Sequence, residues 1–117
     1  LSKVRQFDSG ANRDVDDDKY DYAGFFDPAV LTAFSAYMHS CRQLPDGSMR
    51  SGGNWKNGIP LDSYVSSMLR HVMDLWMIHE GHEATRPESG EQVTIADALG
   101  GIMFNCQGYW SETLKTQ

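Results

Sequence analysis

A chain of 117 residues has room for one domain, 1–117, and its 40% apolar and 22% charged content excludes disorder. A formal charge of −6 with no basic stripe excludes a nucleic-acid duplex as partner, since duplex affinity comes from Lys and Arg on phosphates; a nucleotide still suits an acidic protein when a divalent ion offsets its phosphates. No apolar run approaches about 18 residues and no signal-like segment opens the chain, so a cytoplasmic protein without a membrane partner is expected.

Residues 1–26 read as an irregular polar arm. Asp14, Asp16, Asp17 and Asp18 lie between Arg13 and Lys19. They lack the Gly and the closing Glu of a calcium loop, so a solvated charge run is expected. Tyr20, Tyr22, Phe25 and Phe26 follow, aromatic enough to dock against a surface.

The first main helix is predicted over 28–42. Asp27 is an N-cap with Pro28 at the first helical position, and Val30, Leu31, Phe34, Met38 and Cys41 recur on one face. From Leu44 to Pro60 the chain is a Gly-, Ser- and Asn-rich loop holding Asn54-Trp55-Lys56. Trp55 either plugs a core or stacks on a nucleobase.

A second helix is predicted over 61–80, closed by Gly81, with the stripe Leu61, Val65, Met68, Leu69, Val72, Leu75 and Trp76. The third, over 95–114, is expected to bury Ile95, Leu99, Ile102, Cys106 and Tyr109. Cys41 and Cys106 have no framework spacing and read as free thiols on these apolar faces. No strand pattern competes. The expected fold is therefore all-α: three main helices and a long N-terminal arm, the bundle completed by oligomerisation as a homodimer or higher homo-oligomer.

Chemistry concentrates on two helix faces. His71 and Asp74, one turn apart, are either ligands for a borderline metal or a surface imidazole–carboxylate pair. On the third helix Asp97, Gly101, Asn105 and Gly108 align. Interior glycines cost about 1 kcal/mol each relative to Ala, so they ask for a reason: close approach of another helix, or room for a ligand beside Asp97. Thr94-Ile95-Ala96-Asp97 also fits a capping box, in which Asp97 only satisfies backbone donors. There is no P-loop, no GxSxG and no HExxH.

Phe7-Asp8-Ser9-Gly10, Arg13, Lys19-Tyr20, Asn54-Trp55-Lys56-Asn57-Gly58-Ile59, Arg70-His71 and Pro87-Glu88-Ser89-Gly90 occur in this order. Together they resemble the phage-borne dATP/dGTP diphosphohydrolase N-terminal domain family, a distant relative of the MazG-like all-α nucleotide pyrophosphohydrolases, over nearly the whole chain. The resemblance implies a phage protein acting in the infected bacterial host. It implies hydrolysis of a purine deoxynucleoside triphosphate to monophosphate and pyrophosphate, with Mg2+ or Mn2+. Asp74, Glu88, Glu91 and Asp97 would be the metal ligands and His71 a ligand or general base. Arg13, Lys56 and Arg70 would meet the phosphates, Trp55 the base, and Lys19 and Asn105 would complete the substrate set. The chain departs from the MazG pattern: the ExxE position reads His71-Val72-Met73-Asp74, and the ExxD position reads Thr94-Ile95-Ala96-Asp97. Fewer acids keep two alternatives open, a nucleotide binder without turnover and a helical protein-interaction module.

Overall fold

The computed structural model describes residues 4–14 and 19–116. Asp16, Asp17 and Asp18 of the acidic run lie outside them. The order of elements is β1 (Val4–Gln6), β2 (Asn12–Asp14), α1 (Tyr22–Phe25), α2 (Pro28–Ser40), a single 3-10 turn (Asn54–Asn57), α3 (Leu61–His79) and α4 (Ile95–Lys115). The mostly helical fold and its three main helices match the expectation within two residues at every end.

The arm is the exception. Strands β1 and β2 pair antiparallel, Val4 with Asp14, Arg5 with Arg13 and Gln6 with Asn12. Between them the Phe7 amide donates to the Ala11 carbonyl at 2.8 Å and Gly10 takes a φ of +89°. Asp8-Ser9-Gly10 is thus a turn, with glycine where the backbone is left-handed. Three-residue strands are too short to register as alternation, which is why periodicity did not show them. The one-turn helix α1, capped by Asp21, completes the departure from an irregular arm.

The helix ends follow local rules. Asp27 Oδ1 accepts from the Ala29 amide at 2.9 Å, with Pro28 in the first turn of α2. At the close of α3, Gly81 has φ +86°. At the start of α4 the capping box is complete: Thr94 Oγ1 accepts from the Asp97 amide and Asp97 Oδ2 from the Thr94 amide, both at 3.1 Å.

Helices α3 and α4 form an antiparallel hairpin, and α2 lies against α4. The core among the described residues is small: Tyr64, Ala84, Val93 and Ala98. The radius of gyration is 19.7 Å and the extents are 63 × 35 × 28 Å, against about 13 Å expected for a compact chain of this length. The molecule is extended. The stripes predicted to form the core are largely bare: Leu61, Val65, Leu69, Val72 and Trp76 on α3, and Ile95, Leu99 and Tyr109 on α4, are all exposed. The cysteines are free thiols, as expected, but both are exposed. Among the described residues no helix is long and apolar enough to cross a membrane.

Candidate functional site

The α3–α4 contact is made by rings sinking onto glycines. A Cβ on Gly101 would stand 2.5 Å from the His71 ring. Gly100 accommodates Tyr37 of α2 in the same way, and Gly108 accommodates Tyr64. The aligned glycines of α4 are therefore there for close approach of side chains from two other helices. Between these contacts Asn105, 3% exposed, donates its Nδ2 to the Gly101 carbonyl at 2.7 Å and to Ser67 Oγ at 3.3 Å. That amide ties α4 to α3 beside His71.

Two cavities open along this seam. The larger, about 830 Å³, lies between α2, the 3-10 turn and the hairpin; Phe34, Tyr37, Arg42, Arg50, Trp55, Asn105 and Gln107 are among its lining. The smaller, about 410 Å³, is lined by Arg70, His71 and Asp74 of α3, Arg86 and Glu88 of the connection, and Asp97 of α4. Tyr37, Ser67 and His71 line both, so the cavities adjoin. Both volumes are in the range of small-molecule sites, about 300–1,000 Å³.

The connection is shaped for its part. The Val93 amide donates to the Ala84 carbonyl, and the Arg86 amide to the Glu91 carbonyl, both at 2.8 Å. Gly90 turns the chain at φ +72°. This tight turn, seated on buried Ala84 and Val93, presents Arg86 and Glu88 to the smaller cavity.

Charge in that cavity is nearly balanced, with Arg70 and Arg86 facing Asp74, Glu88 and Asp97. His71 is half-buried. Burial drives its pKa below the usual 6.5; Arg70 and Arg86 act in the same direction, while Asp74 and Asp97 oppose them. Its Nδ1 is buried with no hydrogen-bond partner. A neutral imidazole with an unengaged nitrogen is able to accept a proton or a ligand's hydrogen bond. Tyr37, which lines both cavities, has its pKa pushed up to about 12, first by burial and then by Cys41, so it stays a protonated donor.

The structure brings Arg70, His71, Asp74, Glu88 and Asp97 together from three separate stretches of chain, and sets Trp55 and Asn105 in the adjoining cavity. Four expected site residues stand apart. Glu91 lines neither cavity and pairs with Arg86 at 3.7 Å. Lys56 Nζ lies over the Trp55 ring, 5.6 Å from its centroid. Arg13 sits in β2 opposite Arg5, and Lys19 precedes α1. Trp55 itself meets Phe104 edge-on at 6.0 Å, so it plugs the hairpin and lines the larger cavity at once. Sequence reasoning missed Tyr37, Arg42, Arg50 and Arg86. For Tyr37 there was a signal, Gly100, a glycine off the main glycine line of α4. The arginines lie in or beside loops, where no periodicity points inward.

Among the described residues no three His, Cys, Asp or Glu side chains come close enough together to hold a metal ion. A resident all-protein cage is thus not what these residues make. Mg2+ more often binds through one or two carboxylates plus the substrate's own phosphates, and the carboxylates around the smaller cavity fit that mode. Compared with models of known protein families, with curated proteins and with solved structures, the chain matches none.

Proposed function

We propose that the chain is a nucleotide diphosphohydrolase that takes a purine deoxynucleoside triphosphate together with Mg2+ or Mn2+. The observation that supports this reading is the pair of joined cavities, the larger lined by aromatic and amide groups with Arg42 and Arg50, the smaller by charges of both signs, meeting at Tyr37, Ser67 and His71. The division suits a nucleotide: the base lies beside Trp55 and Asn105, and the phosphates reach Arg70 and Arg86. The ordered motifs that resemble the dATP/dGTP diphosphohydrolase domain supply the reaction class, release of pyrophosphate.

The roles follow from the chemistry of the groups. Arg70 and Arg86 offset phosphate charge and hold the departing pyrophosphate. Water adds to the α-phosphorus, the bond from that phosphorus to the bridging oxygen breaks, and the water's proton passes to the neutral His71 imidazole. A divalent ion carried in on the phosphates would be met by one or two of the carboxylates Asp74, Glu88 and Asp97 and would supply charge neutralisation. With two arginines beside three carboxylates, the cavity suits the metal complex of a triphosphate better than the bare anion.

A second reading, a nucleotide binder without turnover, is favoured by one observation: among the described residues no three metal-ligating side chains gather. A panel of deoxy- and ribonucleoside triphosphates with Mg2+ or Mn2+, assayed for pyrophosphate and for thermal shift, separates the two. Hydrolysis is expected to produce pyrophosphate with purine deoxynucleotides and to lose it on Asp74→Asn. Thermal shift without pyrophosphate establishes the binder. Silence in both assays removes the nucleotide reading and leaves a helical interaction module.

A further inference from the structure

Arg42 and Arg50 line the larger cavity and have no part in the chemistry above. A short hairpin after α2 sets them side by side. Gln43 pairs antiparallel with Met49, the Leu44 amide donates to the Ser48 carbonyl at 2.8 Å, and Gly47 turns the tip at φ +87°. At the open end the Arg50 amide donates to the Arg42 carbonyl at 2.9 Å, and Arg42 Nε donates to the Arg50 carbonyl at 2.8 Å. That last bond fixes the Arg42 guanidinium and leaves its terminal nitrogens unused. Among the described residues neither arginine is in an ion pair, although like charges facing each other across paired strands are destabilising. The acid of this hairpin, Asp46, is engaged in the turn, where its Oδ1 accepts from the Ser48 amide at 2.9 Å. Among the described residues no Asp or Glu lines the larger cavity, in a chain with 16 of them against 10 Lys and Arg.

We propose that Arg42 and Arg50 form a phosphate site of their own, taking a phosphate monoester whose flat or apolar body lies against Phe34 and Trp55 in the larger cavity. The site stands on this lining alone and is independent of the hydrolase reading. Two guanidinium forks suit a dianion: one fork matches a carboxylate, whereas a phosphate monoester brings about −1.5 to −2 charges and three acceptor oxygens. The contrast between the cavities sets the form in which the anion binds. In the smaller one the arginines sit among Asp74, Glu88 and Asp97, so a polyphosphate is best met with a metal. In the larger one no carboxylate opposes the anion, so it binds bare. At about 830 Å³, with aromatic rings in its wall, this cavity has room for an organic body beside the phosphate, which points to an ester rather than the free ion.

Titration calorimetry of the full chain in EDTA tests this site apart from any metal-dependent turnover. The probes are deoxyadenosine 3′-monophosphate, which has no 5′-phosphate to hydrolyse, deoxyadenosine and inorganic phosphate. The monophosphate is expected to bind, and Arg50→Gln to weaken it about tenfold or more, the size of a lost charge-assisted hydrogen bond. Deoxyadenosine is expected to bind more weakly than its monophosphate, and equally to both proteins. The variant keeps the bonds of the hairpin, because Arg50 makes them through its main chain. With one of two facing like charges gone, its unliganded melting temperature is expected to hold or rise. A lower one would make Arg50 a structural group and overturn the site. So would equal affinity of the two proteins for the monophosphate, or binding that needs Mg2+, or no binding of either phosphate probe. Inorganic phosphate that binds as tightly as the monophosphate, and is lost in the same variant, would overturn the ester and leave the free ion as the ligand.

Discussion

The two faces of the α3–α4 hairpin are built by opposite means. The site face is held by small and polar residues: Gly101 under the His71 ring, Gly108 under Tyr64, and Asn105 bonded to both helices. The far face carries the large apolar residues, and the single chain covers few of them. Ridges of Leu and Val do not bring these helices together. Rings sinking onto bare backbone do, and the hydrophobic surplus remains for something outside the chain. Hydrophobicity alone therefore locates the open face of this molecule, and glycine spacing locates the closed one.

The largest effect that would break this contrast is expected at Tyr64, which is 1% exposed and fills the space over Gly108. Tyr64→Ala is expected to cost about 3–5 kcal/mol, the range for truncating a buried ring, measured by urea unfolding. Tyr64→Phe sharpens the point. The Tyr64 hydroxyl is buried without a hydrogen-bond partner, so removing it relieves a desolvated group; stability is expected to hold or rise. A large loss on Tyr64→Phe would mean that the hydroxyl is engaged and that the contact is more than packing.

Gly101→Ala comes next. Its new methyl would stand 2.5 Å from the His71 ring, so the imidazole must move and the hairpin spread. A cost of about 1–3 kcal/mol is expected, as for overpacking a tight contact, together with loss of the nucleotide-dependent thermal shift. Gly52→Ala is the control, because nothing lies within 4 Å of the added carbon. If both substitutions behaved alike, α4 would not need its glycine for close approach.

Asp97 separates the structural and chemical claims on one side chain. Its Oδ2 accepts from the Thr94 amide in a complete capping box, so the bland reading of this carboxylate is true whatever else it does. Thr94→Ala is expected to cost about 1 kcal/mol through the cap alone and to spare nucleotide binding. Asp97→Asn keeps an oxygen for the cap but loses the charge facing the smaller cavity. Binding and turnover are expected to fall well below those of Thr94→Ala at equal or better stability. The reverse order would confine Asp97 to capping.

The legible and the hidden parts divide along the same physical line. The main helices were readable because Asp27-Pro28, Thr94 with Asp97, and Gly81 mark their ends by rules that act within one turn of chain. The meeting of His71, Asp74 and Asp97 was half readable: helix spacing aligned each pair, but only the tertiary contact at Gly101 sets α3 against α4 in that register. Arg86 was not readable at all, since it reaches the cavity through a turn whose bonds, Val93 to Ala84 and Arg86 to Glu91, depend on pairing across the loop. The exposure of the stripes was equally hidden. Leu99 or Val72 looks like core wherever its partner comes from, because periodicity records that a face is covered and not which chain covers it.

The smallest expected effect is the pH dependence carried by His71, and it tests whether the site face is closed in solution. Burial holds the folded pKa below 6.5, so the unfolded chain takes up the proton first as pH falls. Stability is therefore expected to drop as pH falls through about 6.5 and to level off below the folded pKa; above about 6.5 His71 adds no slope. The histidine must stay neutral against Asp74 and Asp97, which favour its charged form, while Arg70 and Arg86 side with burial. Melting temperatures of the wild type and His71→Gln between about pH 5 and 8 isolate this term, since the other histidines are common to both. A steeper acid loss in the wild type means that the imidazole is sealed over Gly101 as described. Parallel curves would mean that the seam opens enough to hydrate His71, and a site face that breathes that freely would be no better closed than the stripe face behind it.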